Sequence, residues 1–345
     1  MSGGWAADLR RTAEERLPTV VSRYFAAGSG DEVTLEEATA AWRSVRFASR
    51  VLRGEVVVDT RTELFGTTYA RSFGIAPTSL QRCADPRGEL AMAEAAGEVG
   101  VPHVVSCNAG HRFADIGAVG APWWLQAYVS SDRSATLRML DAAVEAGAGC
   151  VVLTVDTPVP GAKHGASDAD FVDVDLSWHR TNYPSAPARG QRGAWALDLG
   201  LHDIGWLGER TGLPVVVKGV LHPDDATAAV QAGAAAVWVS HHGGRQLDRA
   251  VDTATALRSV RHAVGQGCTV FVDGGIRGGL DVLAAHALGA DAVFTGRLPL
   301  WALASDGRKG VLTCMDALAT ELEEGLLLAG VGTPRRAAEA LQEAV

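Results

Sequence analysis

The sequence lacks the features of a secreted, membrane-bound or nucleic-acid-binding protein. Its five cysteines are scattered without a C-x-x-C pair, so neither a zinc site nor a disulfide framework is indicated. No apolar run reaches bilayer length, and the N-terminus lacks the apolar core of a signal peptide. Lys and Arg number 31 against 40 Asp and Glu, and the net charge of −9 argues against nucleic acid or an anionic membrane as partner. We expect a cytoplasmic protein with buried thiols and no metal site.

What the sequence does contain is typical of a globular protein with a large core. It has 345 residues, of which 47% are hydrophobic and 21% charged. Residues 5–50 read as helical, and Thr34-Leu35-Glu36-Glu37 predicts the start of a helix with a capping box. Arg53 to Thr68 predicts a small accessory strand pair. We interpret residues 1–70 as a helical lid with accessory strands rather than a separate domain.

Eight short apolar runs follow, mostly separated by alanine-rich helical patterns. The runs are Phe73 to Thr78, His103 to Asn108, Trp123 to Val129, Cys150 to Asp156, Pro214 to Val220, Ala236 to His242, Val270 to Gly275, and Ala292 to Arg297. Phrases such as "EVGVPHVV" and "QAGAAAVWV" repeat a helix end, a glycine and a strand, which predicts βα units. The sequence therefore favours an α/β fold, a single (β/α)₈ TIM barrel spanning residues 1–345. A doubly wound sheet is the alternative, but its G-x-G-x-x-G turn is missing after the first strand.

Polar residues stand at the carboxyl end of every predicted strand. In barrels of this type the active site is built from those ends. They carry Pro77, Thr78, Ser106, Asn108, Gln126, Tyr128, Thr154, Asp156, Lys218, Ser240, His242, Asp273 and Arg297. One connection, residues 161–203 after the fourth strand, is long and rich in Gly, Asp, Ser and Pro. We interpret it as a loop that covers the substrate.

Three glycine-containing turns hold the residues that indicate a function. Ser240-His241-His242-Gly243-Gly244-Arg245 combines titratable imidazoles, flexible backbone and an anion-binding arginine, although a polar turn with a capping histidine is the structural alternative. After strands seven and eight, Arg277 and Arg297 lie among glycines, where barrels commonly bind phosphate. Their alternative role is pairing with surface carboxylates. Lys218 ends an apolar strand and requires an anionic partner.

Together these motifs resemble a known family. "VSHHGGRQLD", "FVDGGIRGGLDV", "LPVVVKGV", "WWLQAYV", "LTVDTP" and "GIAPTSLQ" are similar to the FMN-dependent 2-hydroxy acid oxidases and dehydrogenases over about residues 17–330. That family includes glycolate oxidase, lactate oxidase, mandelate dehydrogenase and hydroxymandelate oxidase. The resemblance implies FMN, a small-molecule substrate, and oxidation of a 2-hydroxy acid to a 2-oxo acid by hydride transfer to flavin N5. It also implies oxygen or a soluble acceptor for the electrons, and a homo-oligomer such as a tetramer.

The resemblance also implies roles for individual residues. His242 would be the base, Asp156 its orienting carboxylate and Lys218 the cation that stabilises the reduced flavin. Arg245 and Tyr24 would anchor the substrate carboxylate, and Tyr128 would hydrogen-bond the substrate. Residues that would contact FMN are Pro77, Thr78, Ser79, Ser106, Gln126, Thr154, Lys218, Ser240, Gly243, Asp273, Gly275, Arg277, Gly296 and Arg297.

Three predicted substrate contacts depart from the family pattern. His241 stands where the family usually has Asn, and Lys163 stands where it usually has a second carboxylate-binding Arg. Asn108 replaces a bulky aromatic residue found in many members. These departures leave open an atypical substrate, such as an amine or a specialised biosynthetic intermediate. A non-catalytic flavin-binding barrel is the remaining alternative.

Overall fold

The computed structural model describes residues 4–163, 171, 173–183 and 195–342. Its helices are α1 (Trp5–Arg16), α2 (Thr19–Ala26), α3 (Val33–Ser44), α4 (Gln81–Ala84), α5 (Gly88–Val99), α6 (Phe113–Gly117), α7 (Arg133–Glu145), α8 (His202–Thr211), α9 (Pro223–Gln231), α10 (Thr253–Val264), α11 (Gly279–Ala287) and α12 (Arg297–Ala329). Its strands are β1 (Thr62–Leu64), β2 (Thr67–Tyr69), β3 (Phe73–Ile75), β4 (His103–Ser106), β5 (Trp123–Ala127), β6 (Val151–Thr154), β7 (Val215–Val220), β8 (Ala236–Val239), β9 (Thr269–Val272) and β10 (Ala292–Thr295). Within the described ranges, no helix is both long and apolar enough to cross a membrane.

Strands β3 to β10 form a closed parallel barrel, which confirms the predicted (β/α)₈ fold. Each of the eight strands pairs with its neighbours in chain order, and β10 closes the ring against β3. Every predicted apolar run overlaps one of these strands, although all but one of the strands end two or three residues before the run does. The polar run ends therefore lie at or just beyond the carboxyl rim.

The side chains that point into the barrel form an apolar layer and, next to it, a polar layer. The apolar layer includes Val104, Trp124, Val152, Val216, Trp238 and Phe271, all buried in one cluster. The residue two positions later in the chain is polar in each case, in order Ser106, Gln126, Thr154, Lys218, Ser240 and Asp273, the last two directly after the ends of β8 and β9. Since every second residue of a strand points to the same side, these polar side chains form the next layer toward the carboxyl rim.

The N-terminal residues form three helices and a hairpin, as expected in kind but with different boundaries. β1 and β2 pair antiparallel over Thr62–Tyr69, a shorter segment than the predicted Arg53 to Thr68. The capping box predicted at Thr34 is wrong, because α3 begins at Val33. The carboxylate of Asp248, more than 200 residues away, accepts the Thr34 N–H at 2.9 Å. A tertiary contact therefore replaces the local cap.

The predicted loop that covers the substrate, residues 161–203, is described only in part. Residues 164–170, 172 and 184–194 lie outside the described residues. The part at 173–183 packs on the loop after β4, where Asn182 donates to His111 O at 2.8 Å and accepts the Phe113 N–H at 2.8 Å. Trp195 then pairs with Ser130 through a single β-bridge.

We expect the buried His103 to make the protein acid-sensitive. Neither ring nitrogen has a hydrogen-bond partner among the described residues, and burial lowers the pKa from 6.5 to about 4. Below pH 6.5 the unfolded chain therefore binds a proton that the folded chain does not. The free energy of unfolding should fall between pH 6.5 and 4, by about 2 kcal/mol at pH 5.

Urea unfolding at pH 7 and pH 5 measures this loss, with His103→Phe as the matched variant. Phenylalanine has a similar shape but does not titrate, so the variant should lose about 2 kcal/mol less between the two pH values. Equal losses in both proteins would show that another group causes the acid sensitivity.

Candidate active site

The structure brings most of the predicted site residues to one cavity of about 420 Å³ at the carboxyl rim of the barrel. Those that line it are Tyr24, Pro77, Thr78, Ser79, Ser106, Asn108, Gln126, Tyr128, Thr154, Lys163, Lys218, His242, Gly243, Arg245, Asp273, Gly275, Arg277, Gly296 and Arg297. Three others, Asp156, Ser240 and His241, do not line it. A volume of this size is within the usual range for a small-molecule site.

His242 and Asp156 form a pair at the cavity wall. Nδ1 of His242 lies 3.0 Å and 3.2 Å from the two carboxylate oxygens of Asp156. Burial raises the pKa of Asp156, but the charge and hydrogen bond of His242, the charge of Lys218 and the hydrogen bond from Thr157 outweigh it and keep that pKa below its usual value. Asp156 is therefore an ionised carboxylate that orients the imidazole from behind.

The turn after β8 has an unusual backbone that aims His242 into the cavity. His242, Gly243 and Gly244 all have positive φ, at 58°, 66° and 73°. The His242 N–H donates to Ser240 Oγ at 3.0 Å. A Cβ on Gly244 would lie 2.8 Å from Leu35 N, so only glycine fits there. The strained position of His242 is the kind that functional sites retain.

Gln246 connects this turn to the loop that carries Asp156. Its Nε2 donates to Asp156 O at 3.1 Å, and its Oε1 accepts the Gly161 N–H at 3.0 Å. The loops after β6 and β8 are thereby held in one arrangement. Apart from the position of Gln246 in the motif, no sequence pattern predicts this contact.

The polar layer forms two hydrogen-bonded chains across the barrel. Ser106 donates to Gln126 at 3.1 Å, and Gln126 donates to Thr154 at 3.1 Å. In the second chain Lys218 Nζ donates to Ser240 Oγ at 2.8 Å and lies 3.1 Å from Asp273 Oδ2.

Lys218 therefore has the anionic partner that the sequence required. That partner is Asp273, which the resemblance placed among the FMN contacts. Ser240 also donates to Asp273, at 2.6 Å. Because the Asp273 side chain accepts from both residues, its first role in this structure is to hold the Lys218 ammonium.

Arg277 and Arg297 fit the phosphate of FMN. Among the described residues, every hydrogen bond that either side chain donates goes to a main-chain carbonyl. Burial lowers the pKa of Arg277 to about 10. It is also the largest cause of the pKa of Arg297 lying well below its usual value. Two partly buried guanidiniums that hydrogen-bond no carboxylate among the described residues suit the binding of an anion. Nearby, the buried Thr295 Oγ1 has no partner among the described residues.

Arg297 and Arg245 also hold the end of α2 against the turn after β8. Arg297 donates to Phe25 O at 3.0 Å and to Gly243 O at 2.8 Å. Arg245 donates to Tyr24 O and to Ala27 O, each at 2.7 Å. Both guanidiniums thus satisfy carbonyls that the last turn of a helix leaves free. The N-terminal segment is fixed to the site rather than resting loosely over it.

Tyr24, Lys163 and Asn108, for which the sequence predicts substrate contacts, all line the cavity. The Arg245 guanidinium carbon lies 4.7 Å from the centre of the Tyr24 ring. Lys163 Nζ donates to Gly161 O at 2.9 Å. Asn108 Oδ1 accepts from Arg180 Nε at 3.0 Å.

His241 was expected to contact the substrate, and its position in the structure argues against that role. The residue is 3% exposed and does not line the cavity. Its Nδ1 accepts the Gly244 N–H at 3.1 Å, and burial lowers its pKa. The neutral imidazole of His241 accepts this bond and so stabilises the turn that contains His242.

Arg180 and Trp195 were missed by the sequence analysis and also line the cavity. The Arg180 guanidinium lies 5.4 Å from the Trp195 ring, which lies 4.9 Å from the ring of Tyr128. Burial, followed by the charge of Asp156, raises the pKa of Tyr128, so its hydroxyl stays protonated. Both missed residues belong to the long loop, where no strand or helix pattern marks a position as inward.

The chain is similar to known flavoenzymes over nearly its whole length. The profile of the FMN-dependent dehydrogenases matches residues 13–343. The sequence is 38% identical over 343 residues to 4-hydroxymandelate oxidase from Amycolatopsis orientalis, covering 96% of each chain. It is 36% identical over 335 residues to glycolate oxidase 3 from Arabidopsis thaliana, covering 94% of this chain and 91% of that relative.

The fold agrees with these similarities. A structure of mandelate oxidase with (S)-4-hydroxymandelic acid matches with a TM-score of 0.89 at 37% identity, covering 96% of this chain and 97% of that one. The same type of barrel, the anion site at two arginines and the sequence similarity all agree with the resemblance drawn from the motifs. The chain therefore belongs to the FMN-dependent dehydrogenase family and is an FMN-dependent oxidoreductase.

Proposed function

We propose that this chain oxidises a 2-hydroxy acid to the corresponding 2-oxo acid, with His242 as the base. The observation that carries this proposal is the pair of His242 with the ionised Asp156 at the cavity wall. Because Asp156 accepts from Nδ1, that nitrogen carries the proton and Nε2 has a lone pair. Nε2 accepts the proton of the substrate hydroxyl, and Asp156 stabilises the imidazolium that forms.

FMN, when bound, supplies the acceptor of the hydride that leaves C2 of the substrate as the carbonyl forms. We propose that Arg277 and Arg297 hold its phosphate. Residues proposed to hold its ring and ribityl chain are Pro77, Thr78, Ser79, Ser106, Gln126, Thr154, Lys218, Ser240, Gly243, Asp273, Gly275 and Gly296. Lys218 contributes a positive charge in the middle of this polar layer, with Asp273 fixing its position.

Arg245 and Tyr24 are proposed to bind the substrate carboxylate. Arg245 uses one terminal nitrogen for the carbonyls of α2, so its position is fixed while the other N–H groups of its fork serve as donors. Tyr128 donates from a hydroxyl that stays protonated. Lys163 adds charge at the same end without the bidentate geometry of an arginine.

We further propose that oxygen or a soluble acceptor takes the electrons, and that the chain works as a cytoplasmic homo-oligomer. The five free cysteines, four of them buried, support a reducing compartment. Leu52 is fully exposed, and Val51, Val57 and Leu328 are each more than 70% exposed. Large exposed apolar side chains of this kind support contact with another copy.

Anaerobic absorption spectra test the proposed reaction directly. We expect the flavin band of the purified holoenzyme to bleach with at least one 2-hydroxy acid and to yield an equal amount of 2-oxo acid. The same panel should include amino acids, which cover the alternative of amine oxidation. Bleaching by amino acids alone, or by no compound, would contradict the proposal. The rate at which the band returns in air then separates an oxidase from a dehydrogenase.

A further inference from the structure

We infer that Thr157 is a positioning residue of the proposed oxidation, and that it acts by holding the Asp156 carboxylate in line with His242. The inference rests on the proposed function, because it takes His242 as the base. Thr157 belongs to the "LTVDTP" motif, yet no step of the proposed reaction uses it. It lines the cavity, whereas Asp156, the residue before it, does not.

The Thr157 hydroxyl completes the hydrogen bonding of the Asp156 carboxylate. Thr157 Oγ1 donates to Asp156 Oδ1 at 3.1 Å, and Nδ1 of His242 lies 3.0 Å and 3.2 Å from the two carboxylate oxygens. No further side chain in the part of the chain that the structure describes hydrogen-bonds this carboxylate. Without Thr157, the imidazole that Asp156 orients would be the only group that fixes the direction of the carboxylate.

The main chain at Gly219 limits where the Asp156 side chain can lie. The pairing of β7 with β8 shifts register between Lys218 and Val220, and Gly219 has a φ of 105°. A Cβ on Gly219 would lie 2.6 Å from Cβ and 2.7 Å from Cγ of Asp156, so Asp156 packs directly on this main chain. Packing of this kind fixes the position of Cγ but leaves rotation about the Cβ–Cγ bond, which is broad for aspartate. The bond from Thr157 restricts that rotation.

Thr157 also lies near Tyr128, which is proposed to donate to the substrate. Burial raises the pKa of Tyr128, and a hydrogen bond from the Thr157 side chain opposes part of that rise. Asp156 is the stronger of the two acceptors for the single hydroxyl proton, because a carboxylate forms a charge-assisted bond and a neutral phenol does not. The effect of Thr157 should therefore pass through Asp156 rather than through Tyr128.

Two variants of the holoenzyme separate the hydroxyl of Thr157 from its shape. Thr157→Val keeps the shape but places a methyl group against the carboxylate, and Thr157→Ser keeps only the hydroxyl. We expect Thr157→Val to lower the limiting rate of anaerobic FMN reduction about 10-fold, because a misplaced carboxylate stabilises the imidazolium less well. Thr157→Ser should stay within about 2-fold of the parent rate, and the Kd of the acid should change little in both.

The acid for these measurements is mandelate, lactate or glycolate, whichever reduces the parent enzyme fastest. A packing role for Thr157 predicts the opposite order of the variants, since valine preserves packing and serine does not. A serine variant that loses as much as the valine variant, or a valine variant at the parent rate, would overturn the inference.

Double variants identify the residue through which Thr157 acts. In an Asp156→Asn background, Thr157→Val should change the rate by less than about 2-fold, because the carboxylate that it positions is gone. In a Tyr128→Phe background the loss of about 10-fold should remain. The reverse pattern would make Thr157 a support of Tyr128 and overturn the inference.

Thr255→Val is the matched control. Thr255 Oγ1 donates to Asp252 Oδ2 at 2.8 Å, so the variant removes the same kind of bond at a place that does not line the cavity. It should reduce FMN at the parent rate. A parent enzyme that no 2-hydroxy acid reduces would contradict the proposed function, and the inference with it. Normal reduction of the parent with an unchanged rate in Thr157→Val would overturn the inference alone.

Discussion

Replacing His242 with glutamine should slow the reduction of FMN by a 2-hydroxy acid by between about 10² and 10⁴-fold. Glutamine can reach toward Asp156 as the imidazole does, but its amide cannot accept the hydroxyl proton. The protonated imidazole and the ionised Asp156 would otherwise stabilise each other at 3.0 Å. Stopped-flow absorbance in the visible band of the flavin, under anaerobic conditions, measures the rate.

The substitution should lower only the rate of FMN reduction, without affecting cofactor binding or stability. FMN content, the flavin spectrum and the unfolding midpoint should stay near those of the parent enzyme, since the His242 main chain makes the bond to Ser240. His262→Gln is the matched control, because His262 is exposed on α10. A His242→Gln enzyme that reduces FMN at the parent rate would exclude His242 as the base and leave the hydroxyl proton to another group.

The barrel and its polar layer were predictable because they follow from a local rule. Residues two apart on a strand share a side, so a run such as Trp124 to Gln126 places one residue in the core and the next at the site. The eightfold repetition of that rule, with a helix between strands, identifies the closed barrel. Lys218 also follows from this rule, since its position two residues after Val216 makes it point inward.

Contacts between distant segments could not be predicted in this way. Asp248 caps α3 in place of the local capping box, and Gln246 connects the loops after β6 and β8. The hydrogen bonds from Arg245 to Tyr24 and Ala27 likewise join residues more than 200 positions apart. Each needs the folded positions of two loops, which no spacing along one segment encodes.

His241 shows a second limit of motif reasoning. Two adjacent imidazoles suggested that both contact the substrate, but residues next to each other in a tight turn point in different directions. His242 has a φ of 58° and faces the cavity, whereas His241 is buried outside the cavity lining and accepts the Gly244 N–H. Composition singled out the turn, while the backbone geometry decides which of its two histidines lines the cavity.

Replacing Arg277 with methionine should weaken FMN binding and stabilise the apoprotein. Burial lowers the pKa of Arg277 from 12.5 to about 10, so the folded apoprotein holds a charge that water would solvate better. A depressed pKa of a basic group penalises the folded state at every pH below about 10, which includes neutral pH. The full shift corresponds to about 3 kcal/mol, and partial exposure of the side chain reduces the gain on substitution to about 1–3 kcal/mol.

The opposite change is expected for the cofactor. Loss of one charge-assisted contact to a phosphate should raise the Kd of FMN between about 10 and 100-fold. Methionine can keep the contact of Arg277 with the Trp301 ring, now 5.3 Å from the guanidinium, and the main-chain bond to Asp281 does not depend on the side chain. Flavin fluorescence titration gives the Kd, and urea unfolding of the apoprotein gives the stability.

The two measurements together distinguish a cofactor ligand from a structural residue. Arg258→Met provides the matched control, because Arg258 is exposed on α10 and should change both quantities little. If Arg277→Met instead destabilised the apoprotein and left FMN affinity unchanged, Arg277 would be a structural residue. The anion site would then depend on Arg297 alone. Opposite signs in the two measurements would show that the protein tolerates an unfavourable buried charge in order to bind the phosphate.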